Sequence, residues 1–319
     1  MLFRSLEIPQ HGQITHLSLR TRAWNNVVYE NVLFVPILYH LQILEIVADF
    51  YERGVLNVLP FCHELRELGL FNVDIPLIAH DVDLPLVHTL QKLFLRRSTI
   101  AWMDGLVFTQ LQRFDLENPS SLEIFKQKVR MPACTHIVFG GHELNDLPVF
   151  QSNFHLPFLD TFDLSAARIH DDERVISALH TIHAKRFMFC INRTSSLGLL
   201  ELLESKDEVE QLDLEISNFG PDSHAETTQF ILTRMSVANN VTMKVPCPNM
   251  KVLRLQFENI WGANKEQVSE SCRKMMNNRQ LAGYLMERCY IWWNRKDRKK
   301  HASLVLVMEN EVARVSSSS

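Results

Sequence analysis

The chain has 319 residues, 46% hydrophobic and 22% charged, a balance that suits a folded globular protein with a sizeable core and excludes a disordered or fibrous one. Its formal net charge is −4, yet residues 288–301 (RCYIWWNRKDRKKH) carry six basic side chains against Asp297 alone, +5 locally and −9 elsewhere. That weakly acidic body excludes wholesale nucleic-acid binding and leaves only a local patch.

The opening MLFRSLEIPQ lacks a long apolar stretch with a small-residue cleavage site, and no apolar run reaches the roughly 20 residues that span a bilayer. The expectation is a soluble chain, cytoplasmic or nuclear and not secreted, with no membrane partner. Six cysteines (62, 134, 190, 247, 272, 289) stand singly without a C-x-x-C pair, which suits idle thiols in a reducing compartment better than a disulfide framework. On the same reasoning the triplets Asn192-Arg193-Thr194 and Asn240-Val241-Thr242 are expected to go unglycosylated.

The pattern apolar-x-x-apolar-x-apolar recurs along the chain. After a partial copy in FRSLEI (Phe3, Leu6, Ile8) it appears at Ile14-Leu17-Leu19, Leu41-Leu44-Ile46, Leu65-Leu68-Leu70, Leu90-Leu93-Leu95 and Leu111-Phe114-Leu116. It continues at Cys134-Ile137-Phe139, Leu159-Phe162-Leu164, Ala184-Phe187-Phe189, Val209-Leu212-Leu214 and Met250-Leu253-Leu255. First positions are 27, 24, 25, 21, 23, 25, 25, 25 and 41 residues apart, all but the last in or near the leucine-rich-repeat range of about 20–29. Each unit holds a short strand with alternate side chains turned inward and a return segment to the next parallel strand. One unit cannot bury its apolar side, so stacked units are needed for a continuous core.

The fold class expected is therefore α/β, a leucine-rich-repeat solenoid of about ten irregular repeats over residues 1–260 with a curved parallel sheet. Return helices are predicted around Val175, Leu179 and Ile182, around Leu197, Leu200 and Leu203, and from Ser223 with Glu226, the last carrying Phe230, Arg234 and Val237 on one side. The segment Asp74 to His88, with Pro76 and Pro85, is predicted as loop or single turns. Residues 261–312 form a predicted C-terminal cap. In it a helix starting at Asn264 and Gln267 turns Val268, Cys272, Met275 and Met276 inward and ends at Gly283. Two strand-like runs, CYIWW and SLVLVME, follow, joined by polar NRKDRKKHA. Residues 313–319 are a predicted disordered tail.

Degenerate repeats of about 25 residues followed by CPNMKVLRLQF, CRKMMNNRQLAGYLMERCYIWWNRKD and ASLVLVME resemble the F-box and leucine-rich-repeat proteins of mushroom-forming fungi. The likeness spans nearly the whole chain, its specific part being the last 80 residues or so. The resemblance implies a substrate receptor for a cullin-RING ubiquitin ligase, docked on the ligase adaptor through an N-terminal F-box. The stretch before Ile14 is too short for that segment, so the expectation is of the selecting half alone, with the adaptor a partner only if an F-box lies upstream.

For chemistry, the cluster His170, Asp171, Asp172, Glu173, His180 and His183 is the sharpest enzyme-like signal, because His180 and His183 are three apart and suit a shared helix face of metal ligands. Against it stand 14 histidines in the chain and the absence of H-E-x-x-H or C-x-x-C. Gly140-Gly141 has no phosphate-loop context, and no G-x-S-x-G is present. No catalytic, metal or cofactor residue is assigned; the chain is read as non-enzymatic.

The expected working surface is the concave face, read from the positions between inward residues. Phe71 and Phe94 stand side by side there with Lys92, Arg96 and Arg113, an aromatic and basic cluster of the kind that anchors interfaces, and Asp115, Asp163, Asp213 and Glu215 form a sparse acidic line. These residues are the candidate site for a protein target. The alternative is nucleic-acid association through the aromatic and basic tail. Tyr290, Trp292 and Trp293 are instead expected to seal the end of the solenoid, with the basic residues in a solvated turn.

Overall fold

The computed structural model describes residues 14–21, 38–52, 59–73, 84–119, 125–141, 146–168, 173–191, 196–216, 223–236, 244–258, 265–297 and 300–309. Outside them lie FRSLEI, Asp74, Pro76, His170 to Asp172, both glycosylation triplets, Val237, Asn264, Arg298, Lys299 and the 313–319 tail. The chain forms two compact units, residues 1–134 with 152–157, and residues 135–151 with 158–319.

In the first unit, strands β1 (His16–Thr21), β2 (Ile43–Glu52), β3 (Glu67–Val73), β4 (Lys92–Arg96) and β5 (Arg113–Glu117) lie side by side in chain order, all parallel. The register explains the sequence pattern. Leu17, Leu44, Leu68, Leu93 and Phe114 are successive partners, and so are Leu19, Ile46, Leu70, Leu95 and Leu116. From β2 onward every member of both rows is buried, each adding about 1.5–3 kcal/mol of apolar burial. The first apolar position, as in Leu41, Leu65, Leu90 and Leu111, precedes its strand and is fully buried. There the backbone repeats one device: Arg66 and Glu67 N–H both donate to the Gln42 carbonyl, Gln91 and Lys92 to that of Arg66, and Gln112 and Arg113 to that of Gln91.

Five residues after the starts of β3, β4 and β5, Asn72 (φ 59°), Arg97 (φ 50°) and Asn118 (φ 46°) turn left-handed, a conformation asparagine tolerates better than most. Asn72 Nδ2 donates to the Ala48 carbonyl at 2.9 Å, tying one unit of the array to the one before. Buried Ser98 Oγ donates to the Leu70 carbonyl and accepts from the Val73 N–H, both at 3.1 Å. The described return segments are 3-10 turns at Leu59–Phe61 and Ala101–Met103 and the four-residue helix α1 (Leu86–Thr89), which starts after Pro85. A second, minor sheet holds β6 (Val129–Arg130). After β7 (His136–Gly140), which belongs to the second unit, the chain supplies β8 (Phe154–His155), the parallel partner of β6.

The second unit continues the scheme with β7, β9 (Thr161–Arg168), β10 (Arg186–Ile191), β11 (Gln211–Ile216), β12 (Val252–Glu258) and β13 (Arg288–Asp297), again parallel, closed by antiparallel β14 (Lys300–Glu309). Ile137, Phe162, Phe187, Leu212, Leu253 and Cys289 form one buried row, and Leu164, Phe189, Leu214, Leu255 and Ile291 the next. The backbone device recurs, with Glu210 and Gln211 N–H on the Lys185 carbonyl and Glu287 and Arg288 N–H on that of Lys251.

Helices α2 (Leu147–Asn153), α3 (Glu173–His180), α4 (Ser196–Glu204), α5 (Ser223–Ser236) and α6 (Lys265–Leu281) occupy the returns. Val175, Leu179 and Ile182 are buried, as are Leu200 and Leu203. In α5 the inward stripe is not the side that carries Phe230 and Arg234. Thr228, Ile231, Leu232 and Met235 are buried at helical spacing, and Phe230 is 39% exposed. In α6 Val268, Cys272, Met275 and Met276 are buried, and Gly283 (φ 85°) ends the helix with Tyr284 N–H donating to the Arg279 carbonyl at 2.8 Å.

The C-terminal segment 288–309 belongs to the sheet of the second unit. NRKDRKKHA is not a long connecting turn, which corrects the sequence expectation. Arg295, Lys296 and Asp297 pair in register with Ala302, His301 and Lys300, so the strands extend into the charged stretch and only Arg298 and Lys299 lie between them. Among the described residues no helix is long and apolar enough to cross a membrane.

Candidate functional site on the strand face of the second unit

In a strand, side chains flanking the buried positions point to the other face. In the second unit parallel register lines them into rows. One row runs Asp163, Met188, Asp213, Arg254, Tyr290; the next runs Cys190, Glu215, Gln256, Trp292. Arg186, Met188, Asp213, Glu215, Arg254, Gln256 and Trp292 line a hollow of about 250 Å³.

Asp213, with its side chain 11% exposed, is the hub. The Arg186 fork donates to it through Nε at 3.2 Å and through Nη2, and Gln211 Nε2 donates at 2.9 Å. Asp213 is thus supplied with charge and hydrogen bonds from its own row's flank. Arg254 stands differently. Its Nη1 is 3.7 Å from Asp213 Oδ2, longer than a hydrogen bond, and its Nε is buried without a hydrogen-bond partner. The guanidinium lies 5.5 Å from the Tyr290 ring centre and 5.9 Å from that of Trp292, rings that stack on each other at 5.5 Å and 12°.

Tyr290 and Trp292 therefore do not seal the array. Cys289 and Ile291, on the opposite side of the pleat, are the fully buried residues of β13, while Tyr290 and Trp292 are only half-buried on the hollow's face. The side chain of Trp293 lies outside the described set.

The first unit's candidate residues make a different surface. Phe94 is opposite Gly69, and Phe71 is opposite Arg96, so the two rings are diagonal neighbours and not side by side. A Cβ at Gly69 would stand 3.1 Å from Phe71 Cε2, the space that the glycine leaves to the ring. The cations are each held by a carboxylate: Lys92 by Glu67 at 2.8 Å, Arg96 by Glu117 at 3.3 Å, and Arg113 by Asp115 in a fork at 2.8 and 2.9 Å, with its guanidinium 5.8 Å from the Phe94 centre. Instead of a basic cluster there is a ladder of neutral pairs, and Asp115, one end of the expected acidic line, is neutralised by Arg113.

His180 and His183 do not share a helix face. Helix α3 ends at His180, and the chain turns through Thr181 and Ile182. His180 Nδ1 meets Ser205 Oγ at 2.7 Å and His183 Nδ1 meets Glu208 Oε1 at 3.2 Å. Among the described residues no three His, Cys, Asp or Glu side chains are grouped as metal ligands would be. Burial holds His180 below the usual imidazole range, helped by the Lys206 ammonium. Lys206, 1% exposed, donates to the His180 carbonyl at 3.1 Å and to that of Ile182, capping the end of α3; burial lowers its own pKa.

Gly140 ends β7. All six cysteines are buried thiols outside any disulfide, and burial pushes the Cys62 and Cys247 thiols up to about 12, so neither is a nucleophile at neutral pH.

Arg254 and Gln256 are missed by reading the sequence, which names Tyr290 and Trp292 only as an end seal or as part of an aromatic and basic tail. The signal that finds them is the same in-between pattern, continued one strand further through Leu253-Leu255 and then Cys289-Ile291. Compared with known proteins, the chain matches no family model, and no curated protein matches it significantly.

Proposed function

We propose that the chain is a non-enzymatic protein-interaction module of the leucine-rich-repeat type, binding its target on the strand face of the second unit. The observation that carries this reading is the hollow around Arg254 and Trp292. Its volume of about 250 Å³ is below the roughly 300–1,000 Å³ of small-molecule and cofactor sites and suits a side chain inserted from a larger partner. Arginine and tryptophan in a partly desolvated depression are the residue types that dominate interface energetics. The in-register rows and the steps of about 25 residues between strands support the repeat assignment. The resemblance to F-box receptors adds that the captured protein is a target for ubiquitination, with the ligase adaptor a partner only if an F-box lies upstream.

Within this reading the Phe71, Phe94 and Arg113 surface is secondary, because its charges are already satisfied within the face. Selecting peptides from a random display library on the full chain tests the proposal. Enriched peptides are expected to bind the wild type and to lose at least tenfold affinity on Trp292→Ala, while Phe71→Ala with Phe94→Ala leaves them bound. No enrichment, or equal binding to the Trp292→Ala protein, overturns it.

A further inference from the structure

We infer that the hollow accepts a single carboxylate of the partner polypeptide and that Arg254 is its anchor. This rests on the protein-binding reading and gives the captured group a chemistry.

A guanidinium carries five N–H donors and stays charged at any pH the fold experiences. Those of Arg186 are directed at Asp213; those of Arg254 are not engaged in the same way, since Nε is buried unpartnered and Nη1 is too far from Asp213 for a hydrogen bond. A carboxylate seated on the Nη1–Nη2 edge of the fork would make two parallel bonds, with the buried Nε out of its reach. The guanidinium lies within 5.5 and 5.9 Å of the Tyr290 and Trp292 ring centres, contacts that restrict the side chain before anything binds and so reduce the freedom lost on contact.

Charge sets the class of anion. The lining brings Arg186 and Arg254 against Asp213 and Glu215, a neutral set in which Asp213 is already matched to Arg186. On that neutral lining every added negative charge goes uncompensated, so a singly charged carboxylate is tolerated better than a doubly charged phosphate, which would also stand beside Glu215 in the adjoining row.

The test follows the Trp292 indole N–H signal in nitrogen-15-labelled full chain, identified by its loss in Trp292→Phe. The probes are N-acetylglutamate α-amide for a side-chain carboxylate, N-acetylglycine for a chain terminus, N-acetylglutamine α-amide as the neutral isostere, and inorganic phosphate. A saturable shift is expected with a carboxylate probe, at least tenfold weaker with the neutral one and lost in Arg254→Gln. The tighter of the two carboxylates names the source. No shift, a shift that survives Arg254→Gln, or phosphate binding more tightly than either carboxylate overturns the inference. If Arg254→Gln fails to fold, Arg254→Lys is read instead: it keeps the charge without the flat fork, and unchanged affinity overturns the anchor. Selected peptides that need Trp292 but lack acids and ignore Arg254→Gln would overturn this inference and leave the protein-binding reading standing. Arg254-dependent carboxylate shifts without any binding peptide would do the reverse.

Discussion

Arg279 Nη1 donates to the carbonyl of Met235, 44 residues earlier, at 2.8 Å, joining the last turn of α5 to α6 through a fully buried guanidinium. The same group reaches the Pro246 carbonyl at 3.0 Å and, through Nη2, that of Cys247 at 2.7 Å. Cys247 is left-handed (φ 45°), so the loop before β12 is held in its turn by bonds to its own carbonyls. Burial lowers the Arg279 pKa, but its ordinary value is high enough that the charge remains at neutral pH.

Removing that side chain takes a donor from the Met235, Pro246 and Cys247 carbonyls, of which Cys247 keeps the Met250 N–H at 3.0 Å, and a buried carbonyl left unpaired costs about 1–3 kcal/mol. Arg279→Met keeps much of the apolar stem and none of the donors. The expected outcome is a loss of about 2–4 kcal/mol, seen as a lower urea midpoint at unchanged slope. A variant as stable as the wild type would show that the guanidinium does not hold the loop.

The alternation along β13 gives a paired prediction. Ile291 is fully buried in the row with Leu255, and its neighbour Tyr290 is half-buried on the hollow's face. Ile291→Ala is expected to cost about 2–5 kcal/mol of stability. Tyr290→Ala is expected to cost at most about 1 kcal/mol, because it loses one aromatic stack and leaves no core cavity. It should weaken peptide binding all the same. Thermal unfolding of both variants beside a binding isotherm separates the two faces of the strand, and equal destabilisation would refute the pleat assignment.

What could be read from sequence follows the range of the forces involved. The rows Leu44-Leu68-Leu93-Phe114 and Phe162-Phe187-Leu212-Leu253 were legible because each member obeys a local spacing that recurs every two dozen residues. Gly283 was legible as a helix stop for the same reason. The buried stripe of α5 is less legible, because Phe230 and Arg234 share one helical spacing while Thr228, Ile231, Leu232 and Met235 share another, and packing buries the second. Arg279 was invisible. In KEQVSESCRKMMNNRQL it looks like any solvated cation, and its role depends on carbonyls at 235 and 246–247 brought to it by the fold. The Arg254 hollow lay between: its register positions follow from the pattern, but Arg186 hydrogen-bonding Asp213 while Arg254 stands 3.7 Å from it is a matter of ångströms.

Gly283 isolates backbone strain from packing. Its φ of 85° is left-handed, and a Cβ there would meet nothing within 4 Å. Gly283→Ala therefore tests conformation alone, with an expected loss of roughly 1–2 kcal/mol, and Gly283→Asn a smaller one, since asparagine tolerates the left-handed region. Chemical denaturation of the two variants checks the order. An alanine variant as stable as the asparagine one would mean that the helix end re-forms differently.

His180 ties stability to acidity. In the folded chain its pKa is depressed, first by burial and then by the Lys206 ammonium, whose own donors are committed to the end of α3. In the unfolded chain it titrates at the ordinary value near 6.5. As pH falls through 6.5 the unfolded chain therefore takes up a proton before the folded one does, so stability declines from there down to the folded pKa and is complete above 6.5. His180→Asn removes the titration while keeping a polar group beside Ser205 Oγ, now 2.7 Å from the imidazole. Urea midpoints measured from pH 7.5 to pH 5 should fall more steeply for the wild type than for the variant. Parallel pH profiles would show that His180 takes its proton equally in both states and that Lys206 does not repel it.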